Sequence, residues 1–406
     1  MTRIPGLSHV HTLVSTYLPN LSRPQLATLA LWSFAMVVTQ SAGLTTVVAF
    51  LSLVLGQAEP IVCQRLRHWY SIQTRVRKQI HRTKRRAYRK RRRDVQTCFA
   101  PLLRWVVAWW DPNQPCIPLA LDASTLGQRF TILAVCVVIR GSAIPVAWKI
   151  VEATKKGAWQ PHWEALIATL HDTIPADWKV IVLADRGLYA KWLYEIIQWN
   201  GWHPFLRINR QGQYCLEGED AFRLLSTVVI ANGERWSGRV RCFKTEKRQL
   251  DCTLVACKEA GYRDPWLVVT DLAPEEVDIA WYGLRSWIEC GFRDSKRGGW
   301  HWELTKMVRP EHAEWLWLAI AVATLWTVAV GCVADHAAEE THWFLMVRRA
   351  NRPPERTLSC FRRGRIMILA ALCLGQAMPE ARLIPEPWPS SSAATTQEDQ
   401  PLAHAA

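Results

Sequence analysis

Beyond residue 115 the chain reads as three runs of β-branched and apolar residues, a helix, a fourth apolar run and a second helix, and few folds accommodate that order. The first three runs are 117–122, 130–139 and 143–151, with Arg140-Gly141-Ser142 as a short turn between the last two. A helix fits 162–171, a buried strand 179–183 runs into Ala184-Asp185-Arg186-Gly187, and another helix fits 188–199. An antiparallel meander followed by helix, strand and helix needs a parallel crossover, so an α/β sheet is expected.

This is the element order of a ribonuclease H-like core. In that topology the first and fourth strands are parallel neighbours. Segments on either side complete the expected architecture: α/β, with a β-strand-rich insertion and an all-α N-terminal domain. Residues 21–56 read as helix, turn, helix: Ser22 suits a cap, Pro24 a first turn, and Ser41-Ala42-Gly43 punctuates before the second helix. A further helical stretch, 64–110, ends at Asp111-Pro112-Asn113-Gln114-Pro115. The expected domains are a helical DNA-binding region over 1–111, a catalytic domain over 115–200 and 271–335, a β-rich insertion over 201–270, and a C-terminal helical region over 336–384. Pro, Ser, Ala, Thr and Gln dominate 385–406, which reads as a disordered tail.

The net charge of +15 has one main source: residues 75–93 hold twelve Lys or Arg and no acid. Such a block needs a polyanion, nucleic acid first and anionic membrane second. Arg85, Arg86, Arg89 and Lys90 are taken from it as DNA-binding candidates. The twelve cysteines include no CxxC pair, and read as small buried residues of a reduced cytosolic protein. The first twenty residues lack the pattern of a signal peptide, so export is not expected. Residues 315–334 are long and apolar enough to span a bilayer. Their tryptophans form no belts at both ends, however, and an all-apolar helix is also what the centre of a large domain requires.

The segment 281–300, WYGLRSWIECGFRDSKRGGW, places Tyr282, Arg285, Glu289 and Lys296 three, four and seven residues apart. On an α-helix the four fall within about 60° of one another, with Arg293 in or beside the stripe. One carboxylate is thus flanked by cations and a phenol, and Trp281, Leu284, Ile288 and Phe292 form an adjoining apolar stripe. Gly298-Gly299 can close the helix just past Lys296. Asp122 lies within or at the end of the first strand and Asp185 at the end of the fourth, so both can converge at one sheet edge.

Three convergent carboxylates would raise one another's pKa unless hard cations neutralise them. Asp122, Asp185 and Glu289 are therefore read as catalytic residues and ligands of two Mg2+ or Mn2+ ions about 4 Å apart, suited to in-line phosphodiester displacement. Asp122 and Glu289 would contact one ion, Asp122 and Asp185 the other. Tyr282, Arg285, Arg293 and Lys296 would hold the phosphates of the cut strand.

The spacing Y-x2-R-x3-E-x6-K, together with LALDAST and LADRG, resembles the signature of the insertion sequence four family of bacterial DDE transposases over roughly residues 118–334. The sequence departs from many members by placing Ser286 between the signature Arg and Trp287. The resemblance implies cut-and-paste transposition. On that resemblance a homodimer would pair the terminal inverted repeats of double-stranded DNA, cut them by way of a hairpin and join the freed ends to target DNA, and it would be expected in the nucleoid of a bacterial cytoplasm without membrane partners. PWLVVTDL resembles the family segment whose tryptophan stacks on a flipped base, which assigns Trp266 to DNA binding. Two other readings stay open at this point: a catalytically silent DNA-binding relative, and an integral membrane protein using 315–334.

Overall fold

The computed structural model describes residues 5–80, 94–154, 157–341, 346–347, 355–356 and 358–391. The chain sorts into two compact units. One holds Met1–Pro115, Ala123–Pro175 and Trp287–Pro385, and the other Cys116–Asp122, Ala176–Ser286 and Glu386–Ala406.

Five helices come first: α1 (Pro5–Tyr17), α2 (Arg23–Thr39), α3 (Leu44–Leu55), α4 (Glu59–Ile80) and α5 (Phe99–Trp109). Then follow β1 (Cys116–Leu126), β2 (Phe130–Ile139), β3 (Ser142–Glu152), α6 (Gln160–Thr169), β4 (Lys179–Ala184) and α7 (Lys191–Trp199). The next strands are β5 (His203–Arg207), β6 (Gln213–Leu216), β7 (Arg223–Leu224), β8 (Arg235–Cys242), β9 (Leu250–Cys257) and β10 (Trp266–Thr270). A 3-10 segment (Ile279–Ser286) precedes α8 (Trp287–Ser295), α9 (Pro310–Thr341) and α10 (Cys360–Cys373).

In the first unit, the backbone N–H of Ser22 donates to Gln25 Oε1 at 3.0 Å and fixes the entry to α2. At its far end Gln40 takes φ 54°, a left-handed turn that closes the helix. α2 is buried nearly all round because it lies on α9, where Ser33 Oγ donates to Ala319 O at 3.1 Å. The N-terminal helices therefore do not form a compact unit of their own. α9 is the only helix among the described residues long and apolar enough to cross a bilayer, and 94% of its apolar window is buried. α2, α4, α10 and β3 cover it, so its all-round apolarity matches a position at the centre of this unit.

β2 and β3 pair antiparallel from Phe130↔Glu152 to Ile139↔Ser142. Glu314 ties α9 to β3: it accepts from Ile150 N at 3.1 Å and pairs with Lys149 Nζ at 2.8 Å. Deeper in the unit, Arg140 and Arg363 both reach the buried Asp335, at 2.8 and 2.6 Å.

The continuous helical stretch expected over 64–110 is in fact interrupted. Asp94 is extended, a 3-10 turn over Val95–Cys98 precedes α5, and residues 81–93 lie outside the described residues.

The second unit is a sheet in the order β1-β4-β5-β10-β9-β8-β6-β7. β1, β4 and β5 are parallel, in register from Cys116↔Lys179 to Leu121↔Ala184 and from Ile181↔His203 to Ala184↔Leu206. The amphipathic α7 makes the crossover between β4 and β5, burying Leu193, Tyr194 and Ile197. The remaining strands are antiparallel. This is the expected α/β fold, with strand-rich material where the insertion was expected. One expectation is corrected: residues 386–391, read as part of a disordered tail, are packed in this unit, with Trp388 on Trp281 and Ser391 on Asp278. Residues 392–406 lie outside the described residues.

Candidate active site

The parallel strands of the second unit all reach solvent at one level. Burial is continuous over Ile117–Leu121 in β1, Val180–Ala184 in β4 and Pro204–Leu206 in β5, and ends at the next residue in each. Those next residues are Asp122, Asp185 and Arg207. Since Leu121 pairs with Ala184 and Ala184 with Leu206, the three stand one step beyond the same rung, side by side at the carboxyl ends of neighbouring strands. Asp122 is within its strand and Asp185 directly follows its own, as the sequence led us to expect.

Two adjacent carboxylates repel, and the sheet holds them by surrounding them with donors. Arg285 Nη2 lies 2.7 Å from Asp122 Oδ2. Asp185 Oδ1 accepts from the Tyr282 hydroxyl at 3.1 Å and from the backbone N–H of Arg186 at 2.8 Å, with Arg207 Nη1 at 3.8 Å. The Arg207 guanidinium also lies over the Tyr282 ring, 5.7 Å from its centroid. Burial, and then the charge of Asp185, push the Tyr282 phenol well above its ordinary range, with Arg207 and Arg285 opposing. The phenol therefore keeps its proton and acts as donor to Asp185. Trp266 meets Tyr282 edge to face at 5.3 Å, and the exposed Tyr262 meets Trp266 at 5.7 Å.

Tyr282 and Arg285 were expected on one α-helical stripe with Glu289 and Lys296. Instead they lie on the 3-10 segment, and α8 begins only at Trp287. At three residues per turn, Tyr282 and Arg285 eclipse one another, which aims both at the two aspartates.

Glu289, Arg293 and Lys296 belong to the first unit. Glu289 sits on the exposed side of the first turn of α8, whose other side buries Ile288 and Phe292. The helix lies close on β3: a Cβ on Gly291 would come within 2.8 Å of Ala143 Cβ. Arg293 is exposed near the end of α8. Lys296, just past it, donates to Ser124 Oγ at 2.7 Å and Thr125 O at 2.8 Å, and burial lowers its pKa. Arg85, Arg86, Arg89 and Lys90 lie outside the described residues.

The structure thus brings together Asp122, Asp185, Tyr282, Arg285 and Trp266 in one unit, and adds Arg207, which sequence reasoning missed. Its signal appears only with the strand order: once β5 is placed parallel beside β4, the residue ending its buried run is level with Asp185.

Among the described residues no three His, Cys, Asp or Glu side chains are drawn together as a metal cage. Asp122 and Asp185 nevertheless fit hard divalent ions, since their donors are carboxylate oxygens on adjacent strands.

Residues 125–326 match the family described as the transposase DDE domain. The chain belongs to the DDE transposases, a family of DNA transposition whose domains generally use divalent metals. Among solved structures, the chain is similar to a piggyBac transposase in a synaptic complex with hairpin DNA. The identity is 11%, over 98% of this chain and 80% of that one, with a TM-score of 0.41. Comparison with curated proteins gives no match.

Proposed function

We propose that this chain is the transposase of a bacterial insertion sequence of the insertion sequence four family. It would cut both terminal inverted repeats out of donor DNA and join them to target DNA. The observation that carries this reading is the pairing of Asp122 and Asp185 at the exposed ends of two parallel strands, Asp185 within the residues matched as a transposase DDE domain and Asp122 just before them.

Asp122, Asp185 and Glu289 are the proposed ligands of two Mg2+ or Mn2+ ions. When bound, such ions activate the attacking hydroxyl and stabilise the leaving oxygen of a phosphodiester. The chain's own groups do the rest. Arg285 and Tyr282 hold the two aspartates in place and, once the acids are neutralised, turn their donors to phosphate oxygens. Arg207 keeps Tyr282 fixed from beneath its ring and adds positive charge beside Asp185. Lys296, anchored on Ser124, and Arg293 are proposed to hold phosphates of the strand being cut. Trp266 offers a ring edge to Tyr282 and a face for an unpaired base.

The helices of residues 1–111 and the basic run 75–93, including Arg85, Arg86, Arg89 and Lys90, are proposed to grip duplex DNA at the element's ends. Two copies of the chain would act together on the paired ends, on nucleoid DNA in the cytoplasm.

The test is Glu289→Gln assayed on duplexes carrying the inverted repeats that flank the coding region. Retained binding with loss of Mg2+-dependent cleavage is expected. Undiminished cleavage by this variant would remove Glu289 from the site.

A further inference from the structure

Asp278 sits at a junction. Its Oδ1 accepts from Ala280 N at 2.9 Å and its backbone carbonyl accepts from Trp281 N at 3.1 Å, so it caps the start of the 3-10 segment that carries Tyr282 and Arg285. Its other oxygen, Oδ2, faces away from the segment and accepts both Ser391 N at 2.7 Å and Ser391 Oγ at 2.8 Å. Arg235 Nη1 closes the arrangement on Ser391 O at 2.8 Å. Three residues earlier, Trp388 stands edge to face on Trp281 at 5.0 Å, and Trp281 leans on the buried Phe205 of β5 at 6.0 Å. Phe205 lies two residues before Arg207.

We infer that residues 386–391 are a strap that positions the 3-10 segment of the active site, with Trp388 and Ser391 as its positioning residues. The segment needs such help. Its eight residues have the poorer hydrogen-bond geometry of a 3-10 helix, a form seldom stable beyond three or four residues. Near its start it is gripped by the strap's Ser391, through the Asp278 carboxylate, and by the Trp388 indole. At its other end Arg285 and Tyr282 reach the two aspartates they serve, with Arg207 and Trp266 against the Tyr282 ring. Loosening the strap would free both donors while leaving the sheet beneath them intact. The strap touches no reacting group, so it acts on the rate of cutting and not on affinity for DNA.

The strap's effect on catalysis rests on the function proposed above, but its effect on backbone order does not, and the two are measured separately. The double variant Trp388→Ala/Ser391→Ala is compared with wild type by hydrogen exchange of backbone amides. With the Ser391 hydroxyl bond and a ring contact gone, amides of residues 280–286 should exchange about tenfold faster or more, while those of β8 and β9 keep their protection. In single-turnover cleavage of an inverted-repeat duplex, the rate constant should fall by a similar factor at unchanged Kd. Trp388→Phe/Ser391→Thr should restore both.

Unchanged exchange over 280–286 would overturn the inference. So would equally faster exchange throughout the second unit, which would make the strap a general stabiliser. Loss of DNA affinity at unchanged cleavage rate would overturn it as well. If wild type cuts no DNA while the exchange result holds, the functional reading fails and the positioning role stands.

Discussion

Asp122 and Asp185 owe their arrangement to a coincidence of register: each is the first residue past a buried run, and the two runs are paired rung for rung. Tyr282 contributes one hydrogen bond to this pair, from a phenol that burial keeps protonated. Hydrogen bonds to charged partners are worth about 1.5–3 kcal/mol, so Tyr282→Phe should slow DNA cleavage by roughly ten- to a hundredfold, with the ring and its contacts to Trp266 and Arg207 retained. Single-turnover cleavage kinetics would measure it, and a rate within about twofold of wild type would remove the hydroxyl from the mechanism. Both aspartates were legible in the sequence, because an acid ending an apolar strand is a local pattern. Arg207 was not, because one arginine after a short apolar run acquires meaning only when the strand's neighbours are known. The spacing of Tyr282 and Arg285 was read correctly as putting them on one face, although a 3-10 segment and not an α-helix presents that face.

At the scale of elements, the core of the first unit is decided by how closely α9 and α10 approach. A Cβ on Gly364 would lie 1.8 Å from Thr327 O, and one on Gly331 would lie 1.9 Å from Cys360 O. The two backbones are therefore in direct contact, and no side chain can yield to make room. Gly364→Ala should destabilise the protein by about 3 kcal/mol or more, the upper end for overpacking, as measured by urea denaturation. A change below about 0.5 kcal/mol would show that the helices can slide apart.

α8 carries a second strained feature, the buried Asp294, whose pKa desolvation raises from 3.8 to about 6 despite Arg293 and Arg362 nearby. Between those values the folded state holds a proton that the unfolded chain has released. This group's contribution to stability therefore falls as pH rises from about 4 to about 6. Asp294→Asn should remove that dependence and stabilise the protein at neutral pH by up to about 3 kcal/mol. Thermal unfolding across this range checks it, and parallel curves for variant and wild type would contradict it. The all-apolar character of α9 was legible as that of a central helix, but the role of its Gly331 was not, since Cys360, the partner it admits, belongs to a separate helix far along the chain.

For the whole molecule, the class of fold was legible because strand and helix periods alternate cleanly after residue 115, and the transposase DDE match over residues 125–326 agrees with it. The grouping of segments was much less so. The N-terminal helices look self-contained in sequence because short connections join them, yet α2 buries its apolar surface on α9, almost three hundred residues away. Likewise residues 386–391, polar and proline-rich, gave no periodic signal, because a strap held by one carboxylate and one ring needs none.

The proposed chemistry requires Asp122, Asp185 and Glu289 to serve the same divalent ions. Mn2+ titration of the full chain bound to an inverted-repeat end, followed by electron paramagnetic resonance, tests this directly. Asp122→Asn, Asp185→Asn and Glu289→Gln should each weaken Mn2+ binding by more than about tenfold, a loss that even outer-shell partners of a metal can cause. Wild-type Mn2+ affinity in Glu289→Gln, with binding lost in the two aspartate variants, would contradict a shared three-carboxylate centre.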